Sequence, residues 1–408
     1  MKDSYPQALS IIKKLNASGY TAFFAGGWVR DFLLGHPSDD IDIATDASPQ
    51  VILDLFPRTL CVGIAFGVVI VDLEGHQFEV ATFRRDIAYT NGRKPDKIEM
   101  SSPREDAERR DFTINGMFYD PLTEEIFDYI GGMHDLKQGI IRCIGIPDER
   151  FKEDRLRMIR AVRFSQRFGF TIDSATQEAI LENCDTLFPA VAIERVWQEL
   201  NKMAQGPSFD GALITLHRLG LLNVIFTDLK NLHMNDLKHL VAPFKDFPEK
   251  TPTLLFVLQL FPSYTLDNML DLCAYLKLSG EDRKIAETWH ELESLNNMSS
   301  RYAWAKFYAR KYSSHCVNVM AAIKTPLERT KFLEDNELRT KDLGTHTQRL
   351  IAKKPVVTSG HLLEEGIRPG VTMGKLLRIA EEVSIEKDLH QSQSIIEDMK
   401  KNSKWSAE

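Results

Sequence analysis

Apolar residues recur along this chain in two different periods, and the change between them divides it. Near the start, Ala8, Ile11, Ile12 and Leu15 fall on one face of a helix expected from about Tyr5 to Ser18. Ala22 to Ala25 reads as a strand, Gly26-Gly27 as a turn, and the residues up to Leu34 as a second helix. Ile41-Asp42-Ile43 predicts the next strand, and Ser48-Pro49 opens a helix ending at Leu55. Two strand runs follow, 67–72 and 77–83, with Glu74-Gly75-His76 as a hairpin signal between them. After about residue 145 the strand signals nearly vanish. Helical spacing dominates to the end, as in Phe209, Leu213, Leu216 and Leu219. The polar stretch Asp398 to Glu408 is expected to fray. The pattern predicts an α+β protein: a head with a small mixed or antiparallel sheet, then an all-helical remainder.

Composition narrows this reading. At 408 residues, two to four domains are expected, and 43% hydrophobic with 27% charged residues is ordinary for a soluble protein. The first residues have no apolar core of a signal peptide, and no run of 18 apolar residues occurs. The five cysteines lie far apart without Cys-x-x-Cys spacing, so a reducing cytoplasm and no zinc site are expected. The net charge of −7 argues against blanket nucleic-acid binding. Local basic clusters matter more, and they occur at Arg84-Arg85, Arg93-Lys94, Arg109-Arg110 and in the arginine series 155–167.

The candidate chemistry starts at Asp40 and Asp42. On a strand, side chains two apart share a face, so both carboxylates project together. Two like charges held that close need a cation, or one must protonate. One or two carboxylates completed by substrate phosphates are a usual Mg²⁺ site. Upstream, Gly26-Gly27 at a helix start offers free N–H groups to phosphate. Alone, an Asp-x-Asp is commonly a solvated turn; joined to a glycine turn about a dozen residues away, it outlines a nucleotidyl-transfer site.

The stretch Gly26-Gly27-Trp28-Val29-Arg30-Asp31, followed by Asp40-Ile41-Asp42, resembles the nucleotidyltransferase domain of the DNA polymerase β superfamily. Within it, the class II tRNA nucleotidyltransferases and bacterial poly(A) polymerases are the nearest group. Further runs carry the same resemblance. Arg109-Arg110-Asp111-Phe112-Thr113-Ile114-Asn115, read as strand-like from Phe112, looks like the segment that contacts the nucleotide's sugar and phosphates. Asp128-Tyr129-Ile130-Gly131-Gly132-Met133-His134-Asp135-Leu136 resembles the family's hinge. Ile193 to Met203 resembles a neck-closing helix, and only a structural role is expected of it. Residues 86–97 read as a loop, intact where enzymes adding only CC have a shortened one, and 365–377 is similar to the family's tail.

One run carries base choice. Glu153, Arg157, Arg160 and Arg163 or Phe164 fall on one face if 150–167 is a continuous helix, with Asp154 beside Arg157. A carboxylate accepts from the amino group of cytosine or adenine, and a guanidinium donates to the ring nitrogen. Uracil and guanine present a carbonyl and a ring N–H there, so both contacts fail. An unmatched buried polar group costs about 1–3 kcal/mol. The run matches the family's Glu-Asp-x-x-Arg template, which implies that Glu153 orients Arg157 while Arg160 and Arg163 meet the triphosphate.

The resemblance implies template-independent addition of C and A, from CTP and ATP, to the 3′ end of tRNA. It implies two Mg²⁺ ions on Asp40 and Asp42, with Gly26, Gly27, Arg30 and Arg110 cradling phosphates and Glu79 a candidate third carboxylate. The implied parts are a head (1–140), neck (141–205), body (206–300) and tail (301–408). Partners would be tRNA and the two nucleotides, with no membrane. An A-adding enzyme, a poly(A) polymerase and a catalytically dead RNA-binding protein are the alternatives.

Overall fold

The structure is a computed structural model that describes residues 4–36, 38–61, 66–87, 97–296, 298–402 and Trp405. It falls into two compact units, 1–236 and 237–408.

The first unit begins with helix α1 (Tyr5–Ala17), whose buried Ala8, Ile11, Ile12 and Leu15 are the expected stripe. A seven-stranded mixed sheet follows, in the order β3-β4-β5-β2-β1-β8-β9. Its strands are β1 (Ala22–Ala25), β2 (Asp42–Thr45), β3 (Thr59–Leu60), β4 (Val68–Leu73), β5 (His76–Thr82), β8 (Phe118–Asp120) and β9 (Glu125–Phe127). Only β2 and β5 pair in parallel; the other neighbours are antiparallel. The β4–β5 hairpin closes through Glu74 and Gly75, both at positive φ, which is the turn that matches strand twist. Phe23, Ala25, Ala44, Phe83 and Phe118 form a core on one face of the sheet. Tyr5 of α1 meets Phe24 edge-on at 5.6 Å.

Helix α2 (Gly27–Leu33) follows β1, and helix α3 (Pro49–Leu55) is capped by the Ser48 side chain accepting from the Val51 N–H. Such a cap contributes about 1 kcal/mol. A two-stranded ribbon, β6 (Arg84–Ile87) with β7 (Lys97–Met100), was not foreseen. The loop expected at 86–97 gives Asp86, Ile87 and Lys97 to this ribbon, and its remaining residues, 88–96, lie outside the described residues. Helices α4 (Pro103–Glu108) and α5 (Gly132–Gln138) close the sheet region. Asp128 seats the start of α5 by accepting from four successive N–H groups, Ile130 to Met133.

Then come α6 (Pro147–Glu153), α7 (Leu156–Phe168), α8 (Ser174–Asn183), the single turn α9 (Leu187–Ala190) and α10 (Ile193–Ala204). The elements of the second unit are all helices among its described residues. Its last helix, Ser392–Lys401, continues into the stretch expected to fray, because Ile395, Ile396 and Met399 are buried in a local core. None of the described helices is long and apolar enough to cross a membrane.

Candidate active site

The Asp-x-Asp is not wholly on a strand. β2 starts at Asp42, opposite Ala25, and beyond Ala25 the chain turns at Gly26, leaving Asp40 no ladder partner. Of the run expected to be strand-like from Phe112, only Phe112 is extended, bridged to Cys143, while Thr113–Asn115 forms a 3-10 turn. Asp111 Oδ1 stabilises it by accepting from the Phe112 N–H and Asn115 Nδ2. The run from Glu153 to Arg163 is not one helix. α6 ends at Glu153, Asp154 is extended at φ −147°, and α7 restarts at Leu156. Helix α10 also supplies ion-pair partners to residues of the cleft.

Gly26 has φ +68°, and a Cβ there would lie 2.6 Å from Arg110 Nη1. The turn therefore needs glycine twice over, for its backbone and for the guanidinium against it. Gly116 is a packing position: a Cβ would meet Ile130 Cδ1 at 2.2 Å.

Eleven of the twelve predicted residues line one cleft of about 550 Å³: Gly26, Gly27, Arg30, Asp40, Asp42, Arg110, Asp111, Asp154, Arg157, Arg160 and Arg163. Glu153 stands behind it, 2.6 Å from Arg157 Nη1. Arg109, Asn115, Phe164 and Arg167, which the sequence places in the motif runs without a site role of their own, also line the cleft.

The acidic end is underneutralised. Neither the Asp40 nor the Asp42 carboxylate takes an ion pair or hydrogen bond among the described residues. Burial, then Asp40, then Glu79 push the Asp42 carboxyl up to about 6, with Arg110 opposing. Glu79 sits on β5 beside β2, where Ile43 pairs with Val80. Three oxygen-bearing acids with so little local positive charge suit a hard divalent cation.

The basic end is tied down by ion pairs. Arg157 Nη1 also donates to the Arg150 carbonyl at 2.9 Å, and Nη2 to the Arg109 carbonyl. Arg160 forks onto Asp111 Oδ2 at 2.9 and 2.6 Å. Burial raises the Asp111 carboxyl, but Arg160 and Asn115 more than offset it and hold it far below the usual range. Arg163 meets Glu199 at 2.5 Å, and Asp154 meets Arg195 at 2.8 Å. Both partners are on α10. Glu199 lies among buried Val196, Leu200 and Met203, and an acid on an apolar face was the signal that could have revealed it.

Arg30 is buried, bonded to Asp31 at 2.7 Å and to Asn115 Oδ1, with Phe168 stacked at 4.7 Å. Arg110 is anchored by Asp106 at 3.0 Å and rests 5.1 Å from the Phe118 ring.

Residues 22–142 match the Poly A polymerase head domain, and 169–232 the "Probable RNA and SrmB- binding site of polymerase A". A CCA-adding enzyme of Geobacillus thermodenitrificans is 43% identical over 222 residues, 54% of each chain. For the first five such relatives the matched stretch is about half of their length. The CCA-adding enzyme of Ligilactobacillus salivarius is 31% identical over 98% of this chain and 97% of its own. The crystal structure of the Bacillus stearothermophilus CCA-adding enzyme in complex with CTP superposes with a TM-score of 0.81 at 27% identity, over 99% of this chain and 100% of that one. With that near-complete match, the chain belongs to the class II CCA-adding tRNA nucleotidyltransferase and bacterial poly(A) polymerase family.

Proposed function

We propose that this protein adds C and A, from CTP and ATP, to the 3′ end of tRNA. The single observation that carries this reading is the cleft with Asp40 and Asp42 at one end and Asp154 and Arg157 at the other. One end suits a nucleoside triphosphate with its cation; the other suits a base edge. CTP is bound in one structural relative. Relatives solved with ATP and with tRNA share the fold.

Asp40 and Asp42 would hold Mg²⁺, with Glu79 as a candidate third ligand. Bound Mg²⁺ supplies Lewis acidity that favours ionised hydroxyl and offsets triphosphate charge. The chain's own residues orient the rest. Arg110 is positioned against the Gly26 turn, beside the expected phosphates. Glu153 and two backbone carbonyls fix the Arg157 guanidinium, which would donate to the ring nitrogen of the base. Arg195 fixes Asp154, whose oxygens can accept from an exocyclic amino group. The primer's 3′ oxygen attacks the α-phosphate, and pyrophosphate leaves.

The head (1–140), neck (141–205), body (206–300) and tail (301–408) belong to this reading, with the tail on the RNA. Purified protein, given tRNA lacking its 3′ end and each labelled nucleotide in turn, should add C and then A but neither U nor G. Long A tracts on unrelated RNA would favour a poly(A) polymerase instead.

A further inference from the structure

A second cavity, about 460 Å³, adjoins the catalytic cleft and shares Arg163 and Arg167 with it. Gln166, Lys202 and Ser208 also line it, at the C-terminal ends of α7 and α10 and the turn that follows. Its framework is fixed. A Cβ on Gly211 would lie 2.5 Å from Gln166 Oε1 and 2.6 Å from Ser208 Oγ, so glycine leaves both in place. Gln166 Nε2 donates to Thr215, and Ser208 Oγ to Asp210, whose carboxylate is outside the lining.

Charge in this region is unbalanced. Glu199 faces Arg160, Arg163 and Lys202 at 3.9, 2.5 and 3.5 Å. Asp31 is shared by Arg30 and Arg167 at 2.7 and 3.0 Å, and Asp111 takes Arg160. This network of five cations and three acids has a formal excess of two positive charges. The excess sits on the outer members: the Arg167 and Lys202 side chains are 46% and 58% exposed. Such a site asks for an anion. No carboxylate lines the pocket, and Asp40 and Asp42 do not reach it. A nucleotide's triphosphate must stay with those acids, so the anion here is a different one.

Resting on the function proposed above, we infer that this pocket seats a backbone phosphate of the RNA strand whose 3′ end enters the catalytic cleft, with Lys202 and Arg167 as its cationic contacts. Lys202→Ala and Lys202→Glu test it in the full-length protein. RNA affinity is measured as anisotropy of labelled tRNA lacking its 3′ end, across salt concentrations. KM is measured for that tRNA and for CTP. Affinity should fall several-fold for Lys202→Ala and further for Lys202→Glu, with Lys202→Arg close to wild type. The slope of log affinity against log salt should shrink by about 1 for Lys202→Ala. KM for CTP should hold. Unchanged RNA affinity and slope would overturn the site. A rise in KM for CTP alone would assign the pocket to the triphosphate and also overturn it. The binding arm needs no turnover, so a failure of nucleotide addition by wild-type protein would sink the function while leaving this site judged on its own.

Discussion

The two ends of the catalytic cleft are built by opposite rules. At the head end, the Asp40 and Asp42 carboxylates have no ion-pair partner among the described residues, and the Asp42 carboxyl is pushed up to about 6. At the neck end, Arg157, Arg160 and Arg163 are held by Glu153, Asp111 and Glu199, and Asp154 by Arg195. A site that must take up a cation keeps its acids underneutralised. A site that must read a shape keeps its side chains tied, because a guanidinium fixed in advance loses less freedom when a base arrives.

The contrast breaks most completely at the head. Asp42→Ala should lower nucleotide incorporation by about 10³-fold or more, since a metal contributes several kcal/mol and each tenfold is about 1.4 kcal/mol. Circular dichroism should show the fold intact. Next is Asp154→Ala at the neck. It should cut the preference for CTP and ATP over UTP and GTP by roughly 10- to 100-fold, the scale of one lost buried contact of about 1–3 kcal/mol. Competition assays with all four nucleotides read this directly. Gly26→Ala should lower stability by about 1–2 kcal/mol from left-handed strain alone. It should also weaken CTP binding, because its Cβ drives into Arg110; denaturant unfolding and CTP titration measure the two. Arg195→Ala should have a smaller effect, loosening base preference several-fold with little change in RNA affinity.

A further effect concerns stability against pH. Burial and neighbouring acids raise the Asp42 carboxyl above its value of about 4 in an unfolded chain. The raised group favours the fold below about pH 4, and that contribution is lost as pH rises through about 6. Asp42→Asn removes the charge, so it should raise Tm of the metal-free protein at pH 8 and barely change it at pH 4.

Much of the head was legible. The β4–β5 hairpin, the Ser48 cap and the Gly26 turn rest on local rules that act within a few residues. The cleft's membership was legible through resemblance, since Asp42 and Asp154 are brought together only by the fold. The break at Asp154 was missed because helical spacing continues across it on both sides. Physically it frees the Asp154 side chain to accept from the Leu156 N–H and to meet Arg195. The partnership of α10 with α7 was missed because Arg195 and Glu199 act across a tertiary contact.

The most direct test of the account is CTP binding with and without Mg²⁺, in wild-type protein and in Asp42→Asn. Wild-type protein should bind CTP much more tightly with Mg²⁺, and the variant should lose that gain while keeping the weaker metal-free affinity. An equal Mg²⁺ gain in both proteins would contradict a cation held by these acids.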